Sequence, residues 1–147
     1  MSGATQVKQR VYITPLRWIG VLPVAIVAMV IATFLSNTAL SFQLAYIGAS
    51  PDSLFAVLNQ YVVGPAIAAA AFIYYGSRTA PAYRKIVSLV LGAILSIMTT
   101  VGFMATLSID GEVFKMFLTA VSTLLAGGYI IYSFFEHGDK FNVFEDN

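Results

Sequence analysis

Two short groups of residues hold most of the polar chemistry available to this 147-residue chain. The first is Asn59-Gln60, followed by Gly64-Pro65, inside the uncharged stretch NQYVVGPAIAAAAFIYYG. An amide left without a partner in hydrocarbon is costly, so both side chains are expected to face protein or a water-filled cavity. Two uses fit them. They can bridge helices as structural hydrogen bonds, or form a polar site for a lipid headgroup or a small neutral solute. Neighbouring helical positions point about 100° apart, so Asn59 and Gln60 should serve different neighbours. Pro65 has no N–H, which frees the carbonyl of Tyr61 and predicts a bend in mid-span. Breaks of this kind line transporter sites and also occur as packing kinks. The second group is Glu136-His137 with Asp139. Histidine and carboxylates bind metals, but a tight site needs four ligands, or three and a water. With no second cluster to complete it, no metal site is predicted.

What is missing constrains function further. The chain has no cysteine, which removes disulfides, thiol nucleophiles, Cys-ligated zinc and iron–sulfur clusters. Its one histidine cannot supply both axial ligands of a membrane haem. Proton or ion coupling and voltage sensing normally use an ionisable group within the bilayer. The apolar stretches contain none, nor paired aspartates or a Ser–His pair for intramembrane proteolysis. The expectation is a protein without catalytic residues, cofactor or metal.

These residues are embedded in a chain that is 59% hydrophobic and 10% charged, with formal net charge +1. Mean hydropathy is +0.82. A soluble domain carries about 25% charged residues, and the small net charge gives no footprint for nucleic acid. Charged residues and histidine are absent from 18–51, 53–77, 86–109 and 116–135. Each run is long enough to cross a bilayer. The reading is therefore an all-α, polytopic membrane domain of four antiparallel helices, with spans at about 18–36, 54–76, 86–107 and 113–135. Thr14-Pro15 reads as the start of the first helix. The apolar run after it exceeds a signal-peptide core, which favours an uncleaved anchor. Pro23 predicts a mild kink. Residues 37–53 read as an interfacial loop or an overhang of the first helix, or else as a lid or partner-docking surface. Ser50-Pro51-Asp52 reads as the next helix start, with Ser50 as cap. Asp110-Gly111 reads as a tight turn joining spans three and four.

Seven of the eight basic residues fall on the side of the termini, and only Lys115 on the other. The positive-inside rule then predicts both termini in the cytoplasm, in a plasma membrane of the bacterial inner-membrane type. Arg17, Trp18, Arg78, Arg84, Lys85, Tyr129 and Tyr132 are the expected interface anchors. Small residues recur every four positions at Ala66 and Ala70, at Ser88, Gly92, Ser96 and Thr100, and at Thr119, Thr123 and Gly127. Lipid tails are as apolar as leucine, so helices associate through such small faces. The layout resembles that of many small bacterial membrane families, and no motif assigns it to one. An accessory or structural subunit of a larger membrane complex is the leading expectation, with membrane lipids and other membrane subunits as partners. The alternatives are a passive carrier, channel or flippase component for a neutral or lipidic substrate, and a holin-like pore.

Overall fold

In a computed structural model every regular element of the chain is helical among its described residues. Backbone is described for residues 3–80, 83–107 and 113–137, and side chains for 18–80, 83–107 and 113–136. The elements are α1 (Gly3–Ile47), α2 (Leu54–Leu58), a π-helical turn (Asn59–Val63), α3 (Gly64–Thr79), α4 (Arg84–Leu107) and α5 (Val113–His137). Four helical stretches are long and apolar enough to span a membrane: Trp18–Ile47, Leu54–Thr79, Arg84–Leu107 and Val113–Glu136.

The first helix differs from its expected bounds at both ends. It begins at Gly3 and runs through Thr14-Pro15, then continues past Ser36 to Ile47. The segment 37–47 is therefore helix, and the connection shrinks to six residues. The stop signal is Gly48, at φ +66°. Only glycine enters that left-handed region without steric cost. The Ala49 N–H then reaches back to the Leu44 carbonyl at 3.2 Å, a Schellman closure. Thr33, Thr38 and Ser41 return their hydroxyls to carbonyls four residues back, at 2.8–3.0 Å, so polar residues continue the helix without exposing unmet groups. The next helix is capped by Ser53, whose hydroxyl accepts from the Ala56 N–H at 3.3 Å. Ser50 lies one turn earlier, its carbonyl accepting from Ser53 N–H.

Gly64-Pro65 acts by widening the helix. Before it the chain forms one π turn, in which the Gly64 N–H bonds the Asn59 carbonyl five residues back. A proline ring collides with the carbonyl four residues behind it in an α-helix, and one inserted residue moves that carbonyl aside.

Helix α3 is the hub. It contacts α1, α4 and α5, and α4 also packs on α5. A Cβ built on Gly76 would meet Ala25 Cβ of α1 at 2.9 Å and Leu91 Cδ1 of α4 at 2.5 Å. Gly92 of α4 lies against Ile131 of α5, and Gly127 of α5 against Ile73 and Leu95. These pairings make consecutive spans antiparallel. The core is Val21, Ala25, Ala69, Phe72, Ile73, Ala80, Val87, Leu91 and Leu95. Thus α3, α4 and α5 form a triangle, and α1 lies along α3.

Candidate functional site

The polar residues singled out by sequence take different positions. Asn59 is half-buried and donates from Nδ2 to Gln43 Oε1 of α1 at 3.2 Å. Gln60 is exposed and has no hydrogen-bond partner among the described residues. The difference follows from the 100° between them: Asn59 faces α1, which is long enough to meet it only because α1 continues to Ile47. Gln43 lay outside the predicted spans, so sequence reasoning had no partner to offer.

A second polar tie crosses the helices at the π turn. Ser122 Oγ of α5 donates to the Val62 carbonyl. Ser122 thereby reaches the backbone of the π turn from the neighbouring helix. Ser122 and Thr123 are both buried. Ser122 escaped the four-residue stripe of Thr119, Thr123 and Gly127 by one position. Thr119 is half-buried and bonds the Lys115 carbonyl at 3.1 Å, and Gly127 is buried.

The small stripes meet neighbours over part of their length. Ser88 and Gly92 are buried, Ser96 is half-buried and Thr100 is exposed. A four-residue repeat drifts about 40° per step around a 3.6-residue helix, so its far end turns to the outside. Ser88, Ser96 and Thr100 each bond a carbonyl of α4 itself, at 2.7–2.9 Å. On α3 the buried small positions are Ala69, Gly76 and Ser77, with Ala80 buried just past its end, whereas Ala66, Gly64, Pro65 and Ala70 are half-buried. A Cβ added at Gly76 would collide with side chains of both α1 and α4. Ser77 Oγ is fully buried without a partner.

At the end nearer the termini, Arg78 bonds Tyr74 Oη at 2.8 Å and lies over the Tyr74 ring at 5.8 Å. Tyr74 also meets Phe134, with ring centroids 6.0 Å apart. Trp18, Tyr129 and Tyr132 are exposed, and Arg84 and Lys85 are half-buried. At the other end the Lys115 ammonium lies 5.4 Å from the centre of the Tyr61 ring. The side chains of Arg17, His137 and Asp139, the Asp110-Gly111 turn and the tail from 138 lie outside the described residues. No group of three His, Cys, Asp or Glu comes together among those described.

One cavity stands out. A groove of about 890 Å³ runs between α1 and the α2–α3 span, from Pro23 and Tyr75 at one end to Gln43 and Asn59 at the other. Its wall from the π turn and α3 is Asn59, Val63, Ile67, Ala71 and Tyr75, about one residue per helical turn. No charged side chain lines it. Its polar members are Ser36, Gln43, Asn59 and the Tyr75 phenol. No family model, curated protein or solved structure matches the chain.

Proposed function

We propose that the protein is a non-catalytic membrane subunit that joins a larger membrane assembly through α1. The observation behind this reading is how little of α1 its own chain covers. In its apolar window 11% of residues are buried, against 28% in α4. Helix α1 has α3 as its main neighbour and carries Phe34, Phe42 and Tyr46 exposed, Tyr46 at 95%. Aromatic side chains with small neighbours suit a helix–helix interface. Two polar contacts, Asn59–Gln43 and Ser122–Val62, tie helices to one another, and most other hydroxyls close on their own helix. The bias of basic residues toward the terminal side supports both termini in the cytoplasm and a bacterial inner membrane.

Purification of the full chain from native membranes in mild detergent, followed by mass measurement, tests this reading. A stoichiometric membrane partner is expected, and Phe42→Glu with Tyr46→Glu should release it. A lone monomer or homo-oligomer overturns the proposal. A reporter fused after Asn147 should be active in the cytoplasm, and activity only outside it overturns the orientation.

A further inference from the structure

The groove between α1 and the α2–α3 span has dimensions and polarity of its own, and it meets the outer face of α1 only at Gln43, beside Phe42 and Tyr46. From Pro23 to Gln43 its α1 wall covers twenty residue steps, or about 30 Å at 1.5 Å per residue, close to the hydrocarbon thickness of a bilayer. Its walls are apolar for most of that length, which suits an acyl chain lying along it.

Its polarity is confined mainly to one end. The Asn59–Gln43 bond uses one N–H of Asn59 and the Gln43 oxygen. Asn59 Oδ1, the second N–H of Asn59 Nδ2 and both N–H of Gln43 Nε2 remain, an acceptor beside three donors. Ser36 lies deeper on the same wall, against Gly64, where a Cβ would stand 3.6 Å from its Oγ. The neighbouring hydroxyls Thr33, Thr38 and Ser41 all return to α1 carbonyls, whereas Ser36 has no hydrogen bond among the described residues. Polar groups with unused hydrogen-bonding capacity therefore line the half of the groove toward Gln43, and no charged side chain is among its described lining residues.

We propose that this groove is a site for an uncharged glycerolipid, with its acyl chain along Ala28, Ile31, Ile67 and Ala71 and its polar end hydrogen-bonded by Gln43, Asn59 and Ser36. An anionic headgroup has no counter-charge there. An amide pair and a hydroxyl match hydroxyl and ester groups in both donor and acceptor sense. The site sits on one flank of the α1–α3 pair and does not depend on a protein partner docking on the outside of α1.

The test is photolabelling of the purified full chain in phosphatidylcholine vesicles. One sample contains a trace of diacylglycerol with a diazirine in its acyl chain, and the other contains phosphatidylglycerol with the same chain. Exposed faces at Ile97 and Leu125 report ordinary boundary lipid within each sample. Diacylglycerol is expected to label groove residues about fivefold more densely than those faces, and phosphatidylglycerol to show no such excess. Gln43→Leu with Asn59→Leu should erase the headgroup preference while the chain still labels the groove. Ile67→Trp should block groove labelling and leave Ile97 and Leu125 labelled. Equal labelling of the groove by both probes, or groove labelling no denser than at Ile97 and Leu125, overturns the proposal. Either result leaves co-purification of a partner unaffected, so the two readings fail separately.

Discussion

The α3–α4–α5 triangle and the α1–α3 pair are built from the same residue types and end up unlike each other. In the triangle, Gly92 and Gly127 admit Ile131, Ile73 and Leu95. Ser122 ties α5 to the π turn, and Ser88, Ser96 and Thr119 close on their own helices. In the pair, Ala25 meets Gly76 closely near one end, one amide bond joins the helices near the other, and a groove lies alongside. The difference follows from neighbours. Each helix of the triangle is held by two others, so side chains on both flanks are enclosed. Helix α1 has one main neighbour, and the flank of that contact stays open. Between membrane helices there is no hydrophobic drive to close such a flank, because lipid fills it equally well.

Substitutions separate the two regions. The largest effect is expected at Gly76, the position shared by both. A side chain there meets Ala25 Cβ at 2.9 Å, an atom that cannot swing aside. Gly76→Val should destabilise by about 1–3 kcal/mol, the usual range for overpacking, read as a lower unfolding midpoint in a mixed-detergent titration. Gly92→Ala meets only the tip of Ile131, which can rotate, and should cost clearly less. Next is Gly48→Ala, which places a Cβ in the left-handed region and should cost about 1–2 kcal/mol. Its effect belongs to the α1 end, so hydrogen exchange should rise at 44–53 and stay unchanged in α4. Ser122→Ala removes one interhelical hydrogen bond and should cost about 0.6 kcal/mol, the average for such bonds in membranes. If Ser122→Ala loosens α1 as much as α5, the two regions are not independent. The smallest effect, and of opposite sign, is expected for Ser77→Ala. Removing a buried hydroxyl without a partner should leave the unfolding midpoint unchanged or slightly raised.

The four helices long and apolar enough to cross a membrane were legible because a water-facing helix needs charged or polar residues on its outer side, and these runs carry no charge on any side. The extent of α1 was not. Its apolar density falls after Ser36, and the polar residues there look like a loop until Thr38 and Ser41 are seen returning to α1 carbonyls and Gln43 pairing with Asn59. The glycine–proline stop at Gly48 and Pro51 was the readable signal for the true end. Packing faces were harder to read, since lipid and protein demand the same apolar surface and no polar face marks the outside. Spacing identified Ser88, Gly92 and Gly127 as small-face positions, and these are buried. It gave no way to choose Ala69 and Gly76 over Ala66 and Ala70. The Gly64-Pro65 break was visible, but its form as a π turn, and Ser122 as the group bonded to it, required the neighbour.

The length of α1 has a consequence for the bilayer itself. Its uncharged stretch Trp18–Ile47 has 30 residues, or about 45 Å of helix, against a hydrocarbon slab of about 30 Å. Full immersion would need a tilt of about 50°, beyond the range of about 0–40° seen for membrane helices. The mismatch must be met by thickening the surrounding leaflets or by pushing the Phe42–Ile47 end into the headgroups. The chain should therefore partition toward thick membranes, and its α1 end should move outward as the bilayer thins.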